Sequence, residues 1–220
     1  MDKSKRITMK IAIASSLAVA VFTVLFVIAL ITTFNFSTWN GIEKYAAGFK
    51  PIQLFTVIPS ILLAISFLIF CVSVHYLSSD EQKIWSHLGM NFGLIYITIS
   101  LANYLIQLIT VMPSVMSGSL DGLEKLVSGY PNSIFFALMG SYFFMCISLF
   151  FEGLLYKKGI RLFLFIASIG CITFFIVGAI FSAPIFLMLG AASWIGGTII
   201  AMLLIFKYYL KEINLLKAEY

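Results

Sequence analysis

From Leu162 to Phe206 the chain carries no charged residue. A helix crossing the ~30 Å hydrocarbon core of a bilayer needs about 20 apolar residues, so this run is about twice one crossing. It has to be two spans, and Ser182, Ala183 and Pro184 supply the turn between them. Composition agrees: 61% of the 220 residues are apolar and 10% charged, with a mean hydropathy of +1.06, whereas a soluble domain needs about 25% charged residues to cover itself. A disordered chain, a disulfide scaffold and a soluble nucleotide-binding domain are excluded on the same ground. The expected fold class is all-α, a polytopic membrane helical bundle forming one membrane domain over 1–220.

Cutting the chain at charges, Pro and Gly gives six transmembrane helices, at about 11–33, 52–76, 85–111, 133–155, 162–181 and 185–206. Lys3, Lys5, Arg6 and Lys10 before the first resemble the basic front of a signal peptide. The apolar stretch behind them exceeds the 7–15 residues of a secretory signal, however, and no small-residue cleavage site precedes Phe34. Pro113, Gly118 and Gly122 end the third span, and Pro131, Asn132 and Ser133 open the fourth. In the outer loop 112–132, Asp121 and Glu124 stand at capping-box spacing, which predicts a surface helix of two or three turns.

The basic residues set the orientation. Eleven of the fourteen fall at the N-terminus, in the 2–3 and 4–5 loops and at the C-terminus, while Lys44, Lys50 and Lys125 fall on the opposite side. The bias places both termini in the cytoplasm, N-in and C-in. Trp39 and Tyr45 outside, with Trp85 and Tyr156 inside, fit interfacial aromatic belts. The two halves differ in loop length and share no polar motif, so no inverted repeat is legible. Twelve lysines against Arg6 and Arg161, with abundant Phe and Ile, point to an AT-rich bacterial genome and thus to a bacterial cytoplasmic membrane.

Polar side chains at membrane depth are where function is sought, because each needs a partner or water. Tyr96, Ser100, Asn103 and Gln107 recur at helical spacing on one face of the third span, with Tyr104 beside them. They either hydrogen-bond to a neighbouring helix or line a ligand pocket. Ser141, Ser148 and Glu152 form a second stripe on the fourth span. Glu152 reads either as an interfacial carboxylate paired with Lys157, Lys158 or Arg161, or as a proton-coupling or ligand-binding group. In the last two spans Gly178 and Ser182, Ala192 and Gly196, and Gly190 and Gly197 allow close helix approach, within the hairpin or in a homodimer.

Other chemistries find less support. Basic residues lie between apolar runs rather than on one wet face, so nucleic acid is not expected as a partner. Cys71, Cys146 and Cys171 lack any CxxC or Cys/His pattern. His75 and His87 flank Asp80 and Glu81, but at no zinc spacing. No GxSxG, Walker or HExxH motif is present, so no catalytic residue and no cofactor or metal is assigned.

Trp85 leading into Asn103, Tyr104 and Gln107, followed by Pro131, Asn132 and Ser133, resembles small bacterial six-span integral membrane proteins of unknown function. That resemblance implies neither a substrate nor a partner. The leading expectation is a protein that binds a small molecule or lipid between spans three and four, as in a transporter, through Tyr96, Ser100, Asn103, Tyr104, Gln107, Ser141, Ser148 and Glu152. The alternatives are an accessory subunit of a membrane complex, and a lipid-modifying enzyme using His75, His87 or Glu152 at the inner interface.

Overall fold

A computed structural model describes residues 3–33, 39–50, 52, 55, 57–128, 130, 132–181 and 183–218. Pro131 and Ser182, read above as part of a helix start and a turn, lie outside the described residues. The helices are α1 (Lys3–Thr33), α2 (Ile42–Ala47), α3 (Val57–Leu77), α4 (Lys83–Ile106), α5 (Met112–Ser117), α6 (Ile134–Met139), α7 (Ser141–Gly153), α8 (Lys158–Phe165), α9 (Cys171–Phe181) and α10 (Pro184–Ala218). No strand occurs among the described residues. Five stretches are long and apolar enough to cross a membrane: Lys3–Thr32, Val57–Leu77, Asp80–Ser117, Lys158–Phe181 and Ile185–Leu215. A shorter apolar helix covers Ala137–Gly153.

Three local departures from the sequence reading have physical causes. The third apolar helix does not stop at Pro113 but runs on to Ser117, because a π turn over Gln107–Val111 links α4 to α5. Proline lacks an N–H and its ring clashes with the carbonyl four residues back; a wider turn just before it relieves both. Gly118, at φ +75°, then ends the helix, and Ser119 N donates to Ser114 O at 2.9 Å. The fourth apolar segment is two pieces, α6 and α7, meeting at Gly140, where the turn is tight enough to leave only 3.0 Å between a would-be Cβ and Ala137 O. In the loop 112–132 the surface helix shrinks to a single 3-10 turn, Leu123–Lys125, preceded by Gly122 at φ +70° and without a side-chain cap from Asp121.

The long helices close a ring: α1 packs between α3 and α10, α3 on α4, α4 on α7, α7 on α8 and its π turn, and these on α10. Its interior is filled by Phe67, Phe70, Tyr96, Met145, Leu149 and Met202, all without solvent exposure. The outer faces are apolar too, with Ile28, Ile58, Ile109, Ile180 and Met188 more than half exposed. So wide an apolar surface is a liability in water and is the ordinary contact surface in lipid. A second small core of Val111, Val115, Leu123 and Val127 sits under Trp39, Tyr45 and Tyr130 and ties α2 to the outer loop. Burial pushes the Tyr45 phenol up, and the Ser128 hydroxyl 3.4 Å away partly offsets that.

Gly178, Gly190 and Gly197 are used within the hairpin. A Cβ on Gly197 would meet Ala167 N at 2.7 Å and Phe163 O at 2.8 Å, so α10 lies backbone-to-backbone on α8 and on the π turn Ile166–Gly170. Gly178 likewise faces Leu187 and Gly190 faces Phe175, while Gly196 has open space beside it.

Candidate functional site

The α4 stripe does face α6 and α7, and much of it is engaged. Ser100 and Ser141 share a 2.8 Å hydrogen bond, and Tyr104 and Tyr142 share one of 3.0 Å. Asn103 Nδ2 donates to Phe135 O at 3.3 Å, and Gln107 Nε2 donates to Leu126 O at 2.8 Å. The last bond follows from the π turn, which begins at Gln107 and aims its amide at the loop that carries Leu126. On α7, Ser148 Oγ donates to Gly89 O at 2.6 Å, and Cys71 Sγ on α3 lies 3.7 Å from that hydroxyl. These contacts fasten α4 to α6, α7 and the loop before them, the adhesive role expected of polar residues in a bundle, worth about 0.6 kcal/mol each on average.

Five side chains in the bundle interior are different. Tyr96 Oη, Asn103 Oδ1, both Glu152 carboxylate oxygens, Trp194 Nε1 and Thr198 Oγ1 are buried and have no hydrogen-bond partner among the described residues. Trp194 and Thr198 stand one turn apart on α10. Trp194 packs edge-on against Tyr142, ring centroids 5.0 Å apart, and Tyr142 packs on Tyr96 at 5.4 Å. Phe26 of α1 closes the cluster against Trp194 at 6.2 Å. Rings from α1, α4, α7 and α10 thus meet at the centre of the ring, with the unpaired Tyr96 and Trp194 groups among them.

Glu152 lies toward the other end of α7. It is fully buried, and the expected partners do not reach it. Arg161 instead caps the end of α7: its Nε donates to Gly153 O and Tyr156 O at 3.2 and 3.0 Å, and an Nη to Leu154 O at 3.3 Å. Lys157 and Lys158 are exposed. The reading of Glu152 as an interfacial carboxylate paired with a cation is therefore corrected. The carboxylate rests on Gly89, where a Cβ would stand 2.7 Å from Oε1, and one turn on Gly93 faces Cys71 Sγ and Ser148 Oγ. Cys71, Tyr156 and Tyr209 are the titratable groups around it, and no cation is among them. Tyr156 faces the interior rather than the interface, and shares a 3.2 Å bond with Tyr209.

Gly89 and Gly93 had a signal in the sequence, a small-xxx-small pair within the third span. Trp194 and Thr198 had only their spacing. His75 and His87 come together with rings 5.6 Å apart, but His75 Nδ1 is engaged with Ser86 Oγ at 2.9 Å and its carbonyl accepts from Lys83 Nζ at 2.8 Å, which joins α3 to α4. No cluster of three or more metal-ligating side chains forms among the described residues.

Fold and site together define a helical bundle of apolar, membrane-crossing length with polar groups at its centre. No protein-family model, no curated protein and no solved structure matches the chain.

Proposed function

We propose that the chain is a six-span protein of a bacterial cytoplasmic membrane, with both termini cytoplasmic, that binds a small polar molecule or lipid inside its bundle and passes it across. In this reading Ala137–Gly153 and its flanks make the sixth crossing, and the lysine and arginine distribution sets the orientation. Tyr96, Asn103, Trp194 and Thr198 orient the ligand, and Glu152 takes up a proton or small cation. The observation that carries the reading is the set of five buried side chains with unpartnered polar atoms. Each unmade bond costs about 1–3 kcal/mol, and more for a charged group. A bundle that keeps such groups in one state has a use for them in another, where ligand, water or ion supplies the missing bonds.

The rival reading, an accessory subunit whose polar residues only fasten helices, is favoured by the satisfied bonds between α4 and α7. The two readings part on stability in detergent. If the unpaired groups serve a ligand, Thr198→Val removes an unsatisfied hydroxyl at nearly constant volume and raises stability by about 1 kcal/mol. Ser100→Ala, which breaks a bond to Ser141, lowers it by about 0.6 kcal/mol. A loss from Thr198→Val as large as that from Ser100→Ala makes Thr198 a fastener and favours the accessory reading.

A further inference from the structure

The outside of the bundle carries a groove of about 390 Å³ between α1 and α3. Small side chains, Ala14, Ala18 and Ser66, line it beside Ile11 and Ile69, and Lys10 stands toward its N-terminal end. Ser15, also at the groove, turns its hydroxyl back to Ile11 O at 2.7 Å, which leaves the trough apolar. From Ile7 to Ala18 the groove follows α1 for about 16 Å at 1.5 Å per residue, about half of a ~30 Å hydrocarbon core. Beyond Lys10, one turn in from the Ile7 end, the apolar part covers about 12 Å, most of the depth of one leaflet.

Charge lies near one end only, one turn in from Ile7. Lys3 stands a heptad before Lys10 on the same helix face, and both are exposed. Among the described residues neither is paired with a carboxylate. The apolar part runs from Lys10 toward the membrane centre, and the cations lie where α1 leaves the membrane. The geometry points to a binding site for one anionic phospholipid, an acyl chain lying in the α1–α3 groove and the phosphate held by Lys10 and Lys3. Phospholipid is favoured over a free anion because the trough beyond Lys10 is apolar. It is favoured over a partner helix because Lys3 and Lys10 stand exposed and without a carboxylate partner on this face, where a phosphate satisfies them and an apolar helix does not. The site lies outside the bundle and does not depend on the interior reading above; the orientation proposed there only names its leaflet as the cytoplasmic one.

The test is native mass spectrometry of the full chain released from detergent, titrated separately with phosphatidylglycerol and with phosphatidylcholine of identical acyl chains. A juxtamembrane cation contributes about fivefold to anionic lipid binding, so the first lipid bound should be phosphatidylglycerol, preferred by about twentyfold. Lys3→Gln with Lys10→Gln should bring the two lipids to near equality. Ala14→Leu with Ala18→Leu should weaken both at least fivefold by filling the trough. Ala14 is exposed and Ala18 half-buried, so this pair fills the groove rather than the core. Lys207→Gln with Lys211→Gln, on α10, should change nothing. Three results overturn the proposal: equal affinity for the two lipids in the unaltered chain, a preference that follows Lys207 and Lys211 instead, or a first-lipid affinity unchanged by filling the groove. The last would mean a diffuse cationic rim rather than a site.

Discussion

Gly197→Leu is expected to prevent stable folding, while Gly196→Ala, one residue away, leaves the protein intact. At position 197 any Cβ falls 2.7 to 2.9 Å from Ala167 N, Phe163 O and Ala167 Cα, all backbone atoms of α8 and the π turn that follows it. Side chains yield to such contacts by changing rotamer, but backbone yields only if two helices separate. Separation by an ångström forfeits a large part of the dispersion contact along the seam, which includes the fully buried Leu164, Ala167 and Ala201. Overpacking typically costs 1–3 kcal/mol, and here the expected cost is above about 3 kcal/mol because no flexible group absorbs the strain. Thermal unfolding in detergent reads it directly. At Gly196 nothing lies within 4 Å of the added atom, so Ala there gains helix propensity without a clash. Equal Tm values for the two variants would contradict this packing of α10.

Gly89→Val should cost about 1–3 kcal/mol in the unaltered chain and much less in a Glu152→Ala background. The first atom added at Gly89 meets Glu152 Oε1 at 2.7 Å, and Cδ and Cγ at 3.2 and 3.3 Å. Here the obstacle is a side chain, so shortening it opens the space that valine needs. The two sites should couple by more than about 1 kcal/mol in a double-mutant cycle measured by unfolding in detergent. Additive costs would place the carboxylate somewhere other than on Gly89.

The sequence was informative where lipid penalises polarity most. Charge-free runs marked the long helices because one unpaired charge at depth is costly, and the period of Tyr96, Ser100, Asn103 and Gln107 marked a face that the fold turns toward α6 and α7. What stayed hidden depends on what sits opposite. The π turn at 107–111 lets the helix continue past Pro113, which the sequence shows only as a breaker, and the one at 166–170 lies against Gly197, a tertiary contact that no local period records. Glu152 lay within chain reach of three cations, yet Arg161 goes to the free carbonyls at the end of α7, which neighbourhood along the chain does not reveal. Gly89 has meaning only once a carboxylate is seen resting on it. Trp194 and Thr198 looked like ordinary residues of an apolar span, and their unpaired groups emerged only with the ring closed around them.

The account stands on the claim that these interior groups meet water or ligand in some state of the protein. The most direct measurement places a single cysteine at Thr198, in a chain whose Cys71, Cys146 and Cys171 are replaced, and exposes reconstituted vesicles to a membrane-impermeant thiol reagent. A cysteine at Ser119, exposed in the loop after α5, serves as the fully reactive control. The account predicts labelling at position 198 that is slow relative to the control but complete with time, because the bundle opens to water from at least one side. Full protection from both sides, with Ser119→Cys labelled, would mean a permanently dry core and would contradict it.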